Sequence, residues 1–177
     1  MIHRPSPHGF ATGLRGAPEI AIALFSFLFH FAWEMIQVPF FAALPVMSHW
    51  DGIRVCLAAT LGDVGIALGA YWGVTMFAGR GWPLAPSRGA AIAFVALGVA
   101  ATVVLEGLAT GSADRWQYAE VMPRLPILGT GLAPLGQWLV LPPIVLWLTR
   151  RHLAGAAALS GAAVVSTRNR PPPAAGE

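Results

Sequence analysis

The sequence predicts an all-α membrane protein, a polytopic bundle of four transmembrane helices with disordered termini. Three observations carry this expectation. Of the 177 residues, 56% are apolar and only 11% are charged, under half the charged share usual in a soluble domain. The mean hydropathy is positive, at +0.64. Four windows each supply the roughly 20 predominantly apolar residues that a helix needs to cross a bilayer. A disordered acidic or basic tail protein has the opposite composition. The single cysteine, Cys56, excludes a disulfide scaffold and a multi-cysteine metal cluster.

Taken in order, residues 1–18 carry Pro and Gly breaks and read as a cytoplasmic N-terminal tail. The first span covers about 20–41 and holds one charged residue, Glu34. It is longer than the apolar stretch of a cleaved signal peptide, and Glu34 and Gln37 lie inside it. The second span, about 55–79, holds Asp63, and the third, about 89–113, holds Glu106. The fourth, about 125–149, holds no charge; its Pro134, Pro142 and Pro143 are expected to kink it and free backbone carbonyls. The membrane domain is therefore 19–151. Leu153 to Val165 is too short and too rich in Ala and Gly to span, so 152–177 reads as a cytoplasmic C-terminal tail, interfacial or disordered, with Pro171, Pro172 and Pro173 near its end. No internal repeat is visible.

Arginine placement sets the expected orientation. Arg4, Arg15, Arg80, Arg88, Arg150, Arg151, Arg168 and Arg170 fall on one side, and Arg54, Arg115 and Arg124 on the other. Both termini are thus expected in the cytoplasm of a bacterial cell, with the chain in the inner membrane. Trp50, Trp116 and Tyr118 in the outer loops and Trp82 in the inner loop suit the two interfaces. The eleven arginines follow topology rather than a nucleic-acid-binding face, and the Gly and Arg spacings match no dinucleotide or phosphate loop.

An ionisable residue inside a span is costly and marks a functional candidate. At 1.5 Å per residue, Glu34 and Glu106 lie roughly 10 Å below the outer helix ends and Asp63 roughly 12 Å. Gln137 lies at a similar level in the fourth span, so each helix brings a polar group to one layer. His30, Glu34 and Gln37 share one face of the first helix, continued by Phe27 and Phe41. Thr60 shares a face with Asp63, and Thr102, Glu106 and Thr110 line up on the third helix. Gly65, Gly69 and Gly73 form a small-residue seam for close helix approach or self-association.

Plainer roles compete at each position. His30 and Gln137 also suit simple interhelical hydrogen bonds, Cys56 a small buried apolar side chain, and Arg54 an interface anchor. The carboxylates could be structural partners of Gln, Trp and Thr donors. Three acids at one level without lysine cannot all be ionised and unpaired. Either some keep their protons and act as donors, or a metal neutralises them, or a substrate fills the site. A metal would use His30, Glu34, Asp63 and Glu106, a set suited to Zn, Fe or Mn, although no HExxH or paired ExxH motif is present.

The segments His30–Gln37, Ala59–Asp63, Leu105–Glu106, Trp116–Tyr118, Met122–Pro123, Gly131–Leu135 and Gln137–Trp138 together resemble an uncharacterised family of small bacterial four-helix membrane proteins, over most of residues 20–151. That resemblance implies a shared fold and no activity. Glu34-x-x-Gln37 followed by the mid-helix Asp63 is similar to VanZ-like membrane proteins, associated with antibiotic resistance, although their Arg and Asn around the Asp are absent. Glu106, the Thr and small residues after it, Trp116-x-Tyr118 and the Pro- and Gly-rich fourth span look like membrane carotenoid hydratases and cyclases. Those enzymes protonate isoprenoid double bonds with buried acids.

The leading expectation is an outward-opening intramembrane polar pocket that binds a lipid or isoprenoid and acts on it by acid/base chemistry. Glu34 and Glu106 would be the acid/base pair, with Asp63 orienting them. His30 and Gln37 would support Glu34, and His30, Gln37, Trp33, Gln137 and Trp138 would line the ligand. Two other classes stay open: a small assembly factor or subunit of a larger membrane complex, and a proton- or ion-coupled carrier using the acids as a relay.

Overall fold

The computed structural model describes residues 17–111 and 115–168. Four helices dominate them: α1 Pro18–Gln37, α2 His49–Ala78, α3 Arg88–Thr110 and α4 Leu132–Arg168, with 3-10 turns at Val38–Phe40, Leu44–Val46 and Trp82–Leu84. All four are long and apolar enough to cross a membrane. Each packs chiefly on two others, in the order α1, α2, α3, α4 and back to α1, which closes a ring. The α1–α2 and α3–α4 connections meet at one end, where Phe41 pairs with Tyr118. At the other end the start of α1 meets the α2–α3 connection, through Arg80 and Glu19.

Local chemistry explains the helix ends. Pro18 opens α1, where a missing N–H costs nothing. Ser48 and Ser87 cap α2 and α3, accepting from Asp51 N–H at 3.2 Å and Ala90 N–H at 3.1 Å. Gly79, at φ 78°, ends α2 in the left-handed region that favours glycine.

Three boundaries differ from the expected ones. The fourth helix starts at Leu132 rather than about 125. Residues 124–131 instead fold as a hairpin: Arg124 pairs with Gly131, Leu125 N–H donates to Thr130 O, and Gly129 takes φ 66°. Pro126, Gly129 and Gly131 outweigh the apolar character of this stretch, and Pro134 falls in the first turn of α4, where it initiates rather than kinks. The same helix does not stop near 149 but runs on to Arg168. The alanines after Leu153 favour helix more strongly than any other residue, so helix continues through residues expected to form a tail. The parts of the expected tails at 1–16 and 169–177 lie outside the described residues. Finally, α2 begins at His49 rather than about Val55, because Ser48 caps it there.

The helices bury their polar stripe and expose their apolar one. Along α1, Ser26, His30, Glu34 and Gln37 are buried while Leu24, Leu28 and Ile36 are exposed. Trp72, Met76, Phe77, Ile92, Val104 and Trp147 are likewise exposed. An apolar belt of this extent on four helices long enough to span suits a bilayer. The chain is a multi-pass membrane protein.

The core gathers Ile22, Tyr71, Val74, Trp82, Phe94, Trp138 and Val145. Trp82, expected at the interface, is buried between Tyr71 and Phe94, with ring centroids 6.1 and 5.7 Å away. Its neighbouring connection is clasped to α1, as Arg80 donates to both Glu19 oxygens at 2.8 and 3.2 Å. Tyr71 OH donates to Arg80 O at 2.9 Å. Of the expected glycine seam, only Gly73 meets a neighbour, Leu97; a Cβ at Gly65 or Gly69 meets nothing within 4 Å. The close approach is elsewhere, at Gly98, where a Cβ would stand 2.1 Å from the Trp138 ring.

Gly98→Ala should therefore displace the Trp138 indole and cost about 1–3 kcal/mol, the usual range for overpacking. Gly69→Ala should be close to neutral. Thermal unfolding of the two variants in mild detergent checks this; equal melting temperatures would contradict the packing.

Candidate functional site

Two polar clusters lie near the end of the bundle that carries the α1–α2 and α3–α4 connections. The first joins three helices. Gln137 of α4 places Nε2 3.0 Å from Asp63 Oδ2 of α2, 3.3 Å from Glu34 Oε1 of α1 and 2.9 Å from His30 Nδ1 of α1. His30 Nδ1 is itself 3.1 Å from Asp63 Oδ2. An amide nitrogen has two hydrogens and here has three neighbours. The tautomer of His30 decides the pairing: with its proton on Nδ1 it donates to Asp63, and with its proton on Nε2 the bare Nδ1 accepts from Gln137. Trp138 Nε1 donates to the other Asp63 oxygen at 3.3 Å. Gln37 Nε2 donates to Glu34 Oε1 at 2.8 Å, one turn along α1.

Helix spacing builds this cluster. His30, Glu34 and Gln37 lie on the one face of α1 that turns inward. Gln137 and Trp138 are consecutive on α4, so they approach the Asp63 carboxyl from different angles. Gly98 leaves room for the Trp138 indole, whose centroid lies 5.0 Å from the His30 ring. Downstream, Pro142 and Pro143 sit within α4, so the carbonyls of Trp138 and Leu139 lose their usual i+4 donors.

The second cluster belongs to α3 and the loop after it. Glu106 accepts from Tyr118 OH through a short hydrogen bond and from Trp116 Nε1 at 3.4 Å. The Tyr118 oxygen also accepts from Gly131 N–H at 3.1 Å. Main-chain pairing fixes Tyr118: Ala42 N–H donates to Gln117 O and Ala119 N–H to Phe40 O. Phe41, Tyr118 and Met122 pack together beneath these strands of loop. Beside them opens a cleft of about 380 Å³ lined by Gly107, Thr110, Gln117, Tyr118, Arg124, Leu128 and Gly129.

The expected residues are thus divided. Glu34, Asp63, His30, Gln37, Gln137 and Trp138 come together. Glu106 shares no hydrogen bond with Glu34 or Asp63 and interacts with them only through space. Its carboxyl is drawn to Tyr118 and Trp116 instead. His30 is expected to support Glu34; its Nδ1 lies instead 3.1 Å from Asp63 and 2.9 Å from Gln137, because the helix turn carries its ring toward α2. Trp33 does not line the cluster, since its Nε1 donates to Ala133 O at 3.2 Å and pins the start of α4.

Among the described residues no three His, Cys, Asp or Glu side chains are placed to hold a metal. The set His30, Glu34, Asp63 and Glu106 is not gathered at one point: Gln137 Nε2 lies between Asp63 and Glu34, and Glu106 is turned to Tyr118 and Trp116. Thr110 turns its hydroxyl back to Glu106 O, and Thr60 to Cys56 O, both at 2.8 Å. Arg54 pairs with Asp51 at 3.1 Å on the exposed start of α2. Tyr118 and Trp116 were expected as interfacial rings, and their partnership with Glu106 was missed. The signal available was their spacing of ten and twelve residues from an acid near a helix end.

Comparisons of the chain with models of known protein families, with curated proteins and with solved structures find no match.

Burial, reinforced by the bond to Glu106, pushes the Tyr118 phenol above the ordinary tyrosine range. The folded chain favours the neutral phenol. Its stabilising contribution is complete below the ordinary tyrosine pKa of about 10 and is lost as the pH rises beyond it. The melting temperature of the wild type should fall more steeply than that of Tyr118→Phe between about pH 9 and about pH 11. Parallel slopes would show that the phenol is not held neutral. Gln137→Leu, which strips a shared donor from Asp63 and Glu34, should cost about 1–3 kcal/mol in the same assay at neutral pH.

Proposed function

We propose that this chain is a bacterial inner-membrane protein that binds a lipid or isoprenoid in the outer half of the bilayer and acts on it by acid/base chemistry. One observation carries the reading. A buried carboxylate, Glu34, and a half-buried one, Asp63, come together from different helices within the spanning bundle and are bridged by a neutral amide, with no Arg partner among the described residues. Packing alone has little use for that arrangement, because desolvated acids are costly wherever they are not needed. Gln37 Oε1 adds to it as a buried acceptor without a donor among the described residues, a position suited to a ligand hydroxyl.

The proton chemistry divides between the clusters. The Tyr118–Glu106 pair borders the cleft. A ligand proton passing to the Tyr118 oxygen, as the phenol's own proton passes to Glu106, leaves the ligand as its conjugate base and Glu106 protonated; the reverse returns the proton. Glu34 is the second acid of the layer, held by Gln37 and Gln137, with Asp63 and His30 fixing Gln137.

A second reading, a packing subunit of a larger membrane complex, draws on Gly65 and Gly69, which are exposed with open space beside them. The two readings separate experimentally. Wild type, Glu34→Gln and Gly69→Leu are purified in mild detergent, and bound small molecules are identified by mass spectrometry of organic extracts. The first reading expects a lipid or isoprenoid enriched with the wild type and lost at least about tenfold in Glu34→Gln, at unchanged helicity and melting temperature. Full retention in Glu34→Gln, with loss of a co-purifying partner in Gly69→Leu, would favour the subunit reading.

The orientation proposed from the arginines puts both termini in the cytoplasm. In a Cys56→Ala background, Ser48→Cys should react with an impermeant maleimide added to intact spheroplasts and Ser87→Cys should not. The reverse pattern would move the polar layer to the cytoplasmic half.

A further inference from the structure

The cleft between α3 and the hairpin at 124–131 has a composition of its own. Its lining carries one cation, Arg124. Among the described residues Arg124 makes no ion pair. Its guanidinium stacks over the Tyr118 ring at 5.1 Å and gives one N–H to Tyr118 O at 3.4 Å. A guanidinium has five N–H donors, so the remaining ones are available in a fixed plane. The Glu106 carboxyl does not line the cleft, being turned toward Tyr118 and Trp116. Leu128 of the lining is 58% exposed, and the same loop carries Ile127, 96% exposed, and Val121, 67% exposed. An exposed cation stacked on the Tyr118 ring at the cleft, with exposed apolar side chains in the same loop, matches the two halves of an amphiphile.

We infer that this cleft binds the phosphate of an anionic lipid through Arg124, with the acyl chains lying along Leu128, Ile127 and Val121. Arg is suited to this, because its fork engages two phosphate oxygens at once. The stack on Tyr118 holds the fork ready. The inference deepens the proposed function by naming the head-group class of the ligand. It does not depend on any proton transfer, and the bound head group would lie beside the Tyr118–Glu106 pair.

Native mass spectrometry of the full chain in detergent tests it with three probes. Dioleoylphosphatidylglycerol has both phosphate and tails, dioleoylglycerol has the tails alone, and inorganic phosphate has the anion alone. The wild type should bind the first and neither of the others at equal concentration. Arg124→Gln should weaken phosphatidylglycerol binding about tenfold, the scale of one charge-assisted contact. Gly107→Leu should do the same by filling the cleft, and it keeps the charge; a Cβ at Gly107 meets nothing within 4 Å, so the variant should fold even if Arg124→Gln does not. Arg54→Gln, which removes an exposed cation at the same end of the bundle, should bind as the wild type does. Binding is read here without any proton transfer, so failure of the acid/base reading leaves this outcome untouched. Wild-type affinity in both Arg124→Gln and Gly107→Leu overturns the inference. So does equal binding of dioleoylglycerol, or an equal loss in Arg54→Gln, which would signal general charge attraction. Binding of inorganic phosphate as strong as that of the lipid would assign the cleft to a free anion and overturn the lipid assignment.

Discussion

The Gln137 side chain is the contact on which the rest of the bundle turns. Its amide nitrogen reaches a carboxylate on α1 and another on α2 from a position on α4. In a bilayer, apolar contact between helices competes with equally apolar lipid, so polar contacts count for more in choosing which helices pack and at what depth. A neutral donor shared between two acids does this without a buried cation. It also requires that Trp138, the next residue, be accommodated against Asp63, and hence that α3 present Gly98 to its ring. The acid layer, the indole and the glycine recess form one connected unit.

The loops at the same end answer a different constraint. A short α3–α4 connection would have sufficed to reverse the chain. Instead residues 115–131 fold back, pair with Phe40–Ala42 and bring a phenol onto Glu106. The Tyr118 oxygen is engaged twice, by a carboxylate and by the Gly131 N–H, and a side chain at Gly131 would press on Met122 and the Tyr118 ring. The third acid is thereby drawn toward the loop and away from the other two.

The four spans were legible because composition and length suffice for them, and so was the buried stripe of α1, whose His30, Glu34 and Gln37 follow helical spacing. The common layer of Glu34, Asp63 and Gln137 was legible from depth alone. What depth does not encode is rotation about the helix axis. That is why His30 was paired with Glu34 rather than Asp63, and why Glu106 was placed with the other acids. The hairpin before Leu132 escaped for another reason. Its residues are apolar enough to read as span, and only Pro126, Gly129 and Gly131 argue otherwise. Trp33 and Trp82 could not be assigned from sequence, since an indole serves equally well as ligand platform, interface anchor or strap.

The clasp between Arg80 and Glu19 acquires its meaning when set beside Glu34. The two glutamates of α1 are anchored at opposite ends of one rigid rod, about 22 Å apart along its axis. A screw motion of α1 by a single residue would turn it by roughly 100° and shift it by 1.5 Å, and both anchors would be lost together. Two distant polar contacts on a stiff element thus act as a vernier. Neither needs to be strong, since only one angular setting and one height bring both into line, and the lipid-facing side chains between them are left free of any part in choosing it.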